Sequence, residues 1–143
     1  MANITLLKYQ VLKEAGAIFA SAITTDYIEL TNSKNVDFII ATGVGTAANT
    51  TLKVKAKLGA SGTPVAIPFK EKTGETSYNV VDATGKTFSI GGVTGECGFI
   101  VVTINADNLK GLYDRVAVDT TAVTSSTVPG TIVAVTYQPR YSE

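Results

Sequence analysis

Hydrophobic and polar residues alternate along much of this chain with a period of two. The clearest case is TLKVKAKL, residues 51–58. Leu52, Val54, Ala56 and Leu58 fall on one side of an extended strand, and Lys53, Lys55 and Lys57 fall on the other. Such a strand gives its aliphatic side to a core and its ammonium groups to water. The pattern leaves two uses for the lysine side open: a guard against unwanted pairing at a sheet edge, or a polar contact with an acidic partner surface.

From Ala17 onward the chain is a series of short β-rich runs that includes AIFASAIT, DYIELT, NVDFIIAT, PVAIPF, SYNVV, KTFSIG, CGFIVVTI, DRVAVDT and TIVAVTYQ. The segments between them, such as TNSKN, TGVGTAAN, KTGET, NADNLKG and TSSTVPG, carry the Gly, Asn, Asp and Pro chemistry of turns. FIVVTI and VDFIIAT are apolar on both faces and read as strands inside a sheet. Pro64 and Pro68 flank VAI and confine it to an edge or a bridging piece. Many short Thr- and Val-rich strands without a long 3.6-period segment predict an all-β protein. The expected architecture is a single jelly-roll-like β-sandwich of about eight antiparallel strands over residues 17–143. Its expected core includes Leu52, Val54, Ala56, Leu58, Ile100, Val102, Ile104, Val116, Val118, Val133 and Val135.

Residues 1–16 break the pattern. Ile4, Leu7, Val11 and Ala15 would line one side of a helix. A helix this short is marginal without a surface to pack on, so a short helix and an arm that orders on docking are both open. The division expected is therefore an N-terminal arm, 1–16, and a sandwich domain, 17–143.

Composition narrows the chemistry. The chain has 143 residues, a length that points to one domain able to stand on a single core. Twelve basic residues balance twelve acidic ones, so no global field draws in nucleic acid or a membrane surface. Histidine is absent, which removes Ser-His-Asp and Cys-His catalysis and the imidazole that most zinc and haem sites lean on. Cys97, the single cysteine, has no histidine to activate it and reads as a small buried residue. GVGTAA (43–48) matches a dinucleotide-binding pattern, but a strand-patterned segment follows it where a helix is needed, so it reads as a hairpin turn. Asp107, Asn108 and Asp114 have oxygen ligands for calcium but lack the spacing of a dedicated loop, so they read as turn chemistry. The lysine strand carries no exposed aromatics for stacking bases, and Tyr9, Tyr113, Tyr137 and Tyr141 read as interface or core residues. MANITLLKYQVLKEAG has no apolar core of a signal peptide, and no run of about 20 apolar residues occurs. The expectation is a soluble non-enzyme with no catalytic residue, cofactor, metal, nucleic-acid partner or membrane partner.

The order of segments resembles the small proteins encoded beside the major capsid protein of tailed bacteriophages. The likeness rests on YIELTNSKNVDFIIATGVG, TLKVKAKLGASGTPVAIPF, CGFIVVTINADNL and YDRVAVDTTAVTSSTVPGTIVAVTYQPRY, which ends in Arg140 and Tyr141. It covers most of the chain from about Tyr27 and contains no diagnostic motif. The resemblance implies a capsid decoration, or cement, protein: a jelly-roll-like sandwich, often a homotrimer, on the outer surface of the virion. It would bind the major capsid protein and bridge neighbouring capsomers after synthesis in the host cytoplasm. Ile4, Leu7, Val11, Lys53, Lys55, Lys57, Arg140 and Tyr141 are the candidate partner-binding residues. A tail, baseplate or glycan-binding attachment module is the alternative.

Overall fold

The computed structural model describes residues 8–31, 33–72, 77–92 and 99–139. They form two antiparallel sheets packed face to face. In chain order the strands are β1 (Lys8–Gly16), β2 (Ile23–Thr24), β3 (Ile28–Glu29), β4 (Ser33–Thr42), β5 (Gly45–Lys57) and β6 (Val65–Ile67). Then come β7 (Phe69–Lys72), β8 (Asn79–Val81), β9 (Lys86–Gly92), β10 (Phe99–Asn105), β11 (Arg115–Thr120) and β12 (Gly130–Pro139). The first sheet runs β1-β12-β4-β10-β7-β8. In the second, β5 lies between β11 on one side and β6 and β9, end to end, on the other, while β2 and β3 share the far side of β11. The fold is the all-β, jelly-roll-like sandwich that the alternation predicts. The strand count is higher because β2, β3, β6 and β8 are only two or three residues long.

Period-two patterning fills the core. Leu52, Val54 and Ala56 of β5, Val116 and Val118 of β11, and Ile100, Val102 and Ile104 of β10 all point between the sheets and are buried. They meet Val36, Phe38 and Ile40 of β4 and Ile132 and Ala134 of β12. Two expected core positions differ. Leu58 is 59% exposed, because β5 ends at Lys57 and the chain turns through Gly59 in a left-handed conformation. On β12 the parity is the opposite of that expected. Ile132 and Ala134 face Ile40 and Phe38 on the inside, whereas Val133 is half-buried opposite Ile39 on the outer side; Val135, opposite Asp37 on that same side, is nevertheless buried as expected.

Residues 8–16 are an edge strand, not a helix. β1 pairs with β12 from Lys8↔Thr136 to Gly16↔Gly130, with register shifts either side of Lys13. The Thr131 hydroxyl donates to the Lys13 carbonyl at 2.7 Å and fastens that irregular stretch. A free sheet edge offers these residues backbone partners along much of their length, where a short isolated helix is marginal. AIFASAIT also departs from a single strand. Ile18–Ala20 is a 3-10 turn that buries Phe19 edge-on to Phe88 at 6.5 Å between ring centres, and only Ile23–Thr24 is extended.

The GVG of GVGTAA is a corner between sheets rather than a hairpin. Gly43 and Val44 link β4 in the first sheet to β5 in the second, two strands that do not pair. A Cβ on Gly43 would lie 2.6 Å from Pro129 Cγ, and one on Gly45 would lie 2.7 Å from Val128 Cγ2. The glycines are there for close packing on the Val128–Pro129 segment.

One polar tie crosses the interior. β7 runs on past PVAIPF through Glu71 to Lys72, the first residue of the turn segment KTGET, and Glu71 points into the sandwich fully buried. Its carboxylate accepts hydrogen bonds from the Lys86 ammonium of β9, in the other sheet, and from the Asn79 amide of β8 at 3.3 Å. A buried pair is worth little against a hydrophobic replacement, but removing one partner strands the other. The two partners differ in exposure: Glu71 has no contact with water, while the Lys86 side chain is partly exposed. Lys86→Met should therefore cost about 3 kcal/mol or more by taking the Lys86 ammonium away from a buried carboxylate. Glu71→Gln should cost roughly 1–2 kcal/mol, because Lys86 can turn to solvent. Urea unfolding of both variants checks the asymmetry, and equal losses would contradict it.

Candidate functional site

The lysine strand lies in the middle of the second sheet. From Leu52 to Lys57 every residue of β5 has a partner on β11, and β6 and β9 occupy its other side. There is no free edge for these lysines to guard, which removes that use. All three are half-buried on the outer face, and their surroundings differ.

Lys57 is committed within the chain. Its ammonium lies 4.2 Å from the centre of the Tyr27 ring and donates to the Ala60 carbonyl at 2.9 Å. In the same row, Arg115 is 3.7 Å from Glu29 and 3.2 Å from Asp114. Lys53 stands opposite Asp119, whose carboxylate accepts from the Thr24 hydroxyl at 2.7 Å. Lys55 is flanked by Ala117 and Ala66 and has no acid beside it in the ladder. Among the described residues neither Lys53 nor Lys55 forms an ion pair, and Lys55 is the one of the two with no acid opposite it.

The outer face of the first sheet is different in character. Register places Val11, Val133, Ile39 and Val101 in one row across β1, β12, β4 and β10, with Lys72 of β7 at its end. The next row is Tyr9, Val135, Asp37, Thr103 and Lys70. Tyr9 is 69% exposed and Val11 60% exposed. An aliphatic band thus runs across four strands on the outside of the sandwich.

Polar groups in that band satisfy one another. Asp37 accepts from the Thr103 hydroxyl at 2.8 Å and from the Tyr137 hydroxyl at 3.1 Å. The Tyr137 phenol is pushed up to about 12, first by burial, then by the Asp37 charge and the hydrogen bond to it. A phenol held neutral in this way is a fastening between strands.

Of the other candidates, Val11 is on β1 as described, while Ile4, Leu7, Arg140, Tyr141 and Cys97 lie outside the described residues. Asp107 faces Lys34 at 3.9 Å, and Asp114 accepts from the Gly59 amide at 2.9 Å, so the two carboxylates serve different partners. The Gly59 amide first, and then the Arg115 guanidinium beside it, hold the Asp114 carboxyl below its ordinary range. Among the described residues no three acidic, Cys or His side chains form a metal-binding group.

Among the clefts formed by the described residues, two lie at the sides of the sandwich. One, of about 390 Å³, lies between β1 and β3, with Tyr9, Gln10, Tyr27 and Glu29 in its walls. The other, of about 350 Å³, lies where the β6–β7 corner meets the turn that follows β10. Neither was visible in the sequence, because each is assembled from segments far apart in the chain.

A two-sheet antiparallel sandwich with open outer faces is thus the class of protein that the fold defines. The chain superposes on the crystal structure of SPBc2 prophage-derived protein YomS with a TM-score of 0.61 at 13% sequence identity, covering 96% of this chain and 98% of that one. At that identity the likeness shows a shared fold. A structure of infectious bursal disease virus, Gt strain, overlaps 97% of this chain and 39% of its own at 16% identity, but its TM-score of 0.23 carries no argument. No family model and no curated protein matches the chain.

The Tyr137 contact sets an alkaline limit. An unfolded phenol ionises near pH 10, as is usual for tyrosine. The raised value in the fold means that its contribution is complete below pH of about 10 and is lost as pH rises toward about 12. Tyr27 is also raised, by burial and the Asp119 charge, so ultraviolet titration should show a late phase that is reduced but not abolished in Tyr137→Phe, and stability should fall less steeply with alkali in the variant. An unchanged late phase in the variant would assign it to another tyrosine.

Proposed function

We propose that this protein is a structural component of a bacteriophage particle, a decoration protein that binds the major capsid protein on the outer surface of the shell and bridges neighbouring capsomers. The observation that carries the reading is the aliphatic row Val11–Val133–Ile39–Val101, exposed at Val11 and half-buried at the other three, on the outer face of a six-stranded sheet. Apolar surface of this kind gains roughly 25 cal/mol for each Å² removed from water. Docking requires no reactive group, only a firm scaffold and contacts used together. The fold shared with a prophage-derived protein along nearly the whole of both chains supports the same reading. Assembly as a homotrimer belongs to the proposal, since several copies acting at once turn modest contacts into firm attachment. Lys55 adds a charge suited to an acidic patch on the partner.

A second reading, a tail or baseplate attachment module, draws on the cleft that holds Tyr9 and Tyr27 beside polar side chains. Tyrosine faces and hydrogen-bonding groups together suit a sugar ring. The two readings place the protein at different parts of the particle.

Val11 is exposed, so Val11→Glu should leave the fold intact and weaken attachment to purified shells by about tenfold or more. Lys55→Gln should weaken it by up to about fivefold and flatten its salt dependence, as expected for a single exposed pair. Sedimentation with shells at two salt concentrations measures both. Wild-type attachment by Val11→Glu would overturn the sheet-face reading, and antibody labelling confined to the tail would favour the alternative.

A further inference from the structure

The cleft beside the β6–β7 corner has a composition that selects its occupant. Its deep walls include Phe69, Ile104 and Leu109, all buried. At its mouth stand Val80, 77% exposed, and Leu112, 62% exposed, two of the large apolar side chains that the fold leaves in water. A volume of about 350 Å³ is within the range of real ligand sites.

The charged and polar walls are one-sided. Lys70 and Lys110 line the cleft together with the carboxamides of Asn105 and Asn108, and no carboxylate lines it. The acids next in sequence are engaged elsewhere: Glu71 points into the core toward Lys86, and Asp107 faces Lys34. Among the described residues neither Lys70 nor Lys110 has an acidic group within ion-pair distance. Lys110 also occupies a left-handed backbone position (φ 53°) next to Gly111 (φ 72°). Glycine adopts that conformation at least cost, so a lysine here holds a cation at the rim against the backbone's preference.

We propose that this cleft docks a peptide segment of a partner protein that presents a large apolar side chain flanked by carboxylates. The apolar side chain enters between Phe69 and Leu109, and the carboxylates meet Lys70 and Lys110. Flanking residues of the segment cover Val80 and Leu112, whose exposed side chains at the rim extend the apolar wall out of the cleft. A desolvated apolar anchor with a charged rim is the usual distribution of energy in a protein contact. The inference rests on the docking role above, for which it names the chemistry of a second contact.

The isolated protein tests it without any shell. Acetyl-Asp-Phe-Asp-amide, titrated into labelled protein, should give saturable amide shifts centred on Lys70 and on residues 108–112. Its uncharged counterpart, acetyl-Asn-Phe-Asn-amide, should bind about tenfold more weakly. In the double variant Lys70→Gln, Lys110→Gly, whose glycine suits the backbone, that difference should vanish. Leu112→Asp should weaken the acidic peptide in an otherwise unchanged spectrum. Absence of saturable shifts at the cleft, or equal binding of the two peptides, overturns the proposal. So does binding of decanoate with no response to either peptide, which would make this a site for a small amphiphile. Shell attachment of the double variant is read separately. Protein that binds the peptide but no shell overturns the decoration role and keeps the cleft, and the converse overturns the cleft alone.

Discussion

Side chains alternate across a strand, so each sheet has one face to give to the interior and one left over. The structure follows from that constraint. Both inner faces are used on a single core, and a shift of one residue in any strand would exchange core for surface. Val54 of β5 and Val118 of β11 are paired neighbours on the inside, and the same register sets Lys53 against Asp119 on the outside. The outer faces are therefore by-products of core packing in position, but their chemistry is free to vary. The second sheet fills its outer face with charges and the first with aliphatic side chains, and any binding by this protein has to use what those faces and the side clefts present.

That freedom explains what the sequence reveals. β5 is legible because its two parities differ in kind, aliphatic against lysine. The β12 segment TIVAVTYQ is apolar at successive positions from Ile132 to Val135, so its text cannot say which parity is inside. The answer depends on pairing with β4, where Phe38 and Ile40 claim the interior. β1 escapes for another reason. Tyr9 and Val11 are exposed, and Leu12 is its residue packed against the core, so no alternation marks it as a strand. Glu71 is hidden within FKEK, where a buried carboxylate looks like one more turn charge until Lys86 arrives from the other sheet.

The lysine face shows how pairing changes the meaning of a pattern. Three ammonium groups at regular spacing suggest one cationic strip. In the fold, strand neighbours bring Asp119 opposite Lys53, and Tyr27 and the Ala60 carbonyl to Lys57. Much of the strip's charge is answered from within. Exposed charges that already have partners contribute little to a new contact, because moving them exchanges one weak pairing for another. Of the three ammonium groups, only that of Lys57 is held by contacts within the described residues, Lys55 lies between two alanines, and the aliphatic row on the other sheet is the stronger basis for association.

Strand addition at an edge is the obvious competing mode for a β-sandwich, and the described edges are poorly suited to it. β1 carries register shifts either side of Lys13, which twist an edge and interrupt its ladder. β6 is bounded by Pro64 and Pro68, and β2, β3 and β8 are too short to template a partner strand. β9 is the longer free edge, and its outward side chains Thr87 and Ser89 are polar and exposed. Edges arranged this way direct association toward faces and clefts, where side-chain chemistry selects the partner, and away from backbone pairing, which any extended chain can satisfy. Selection by side chains also keeps copies of the chain from pairing edge to edge, and it leaves the faces, with Val11 exposed at the end of the aliphatic row, as the surfaces on which a partner is chosen.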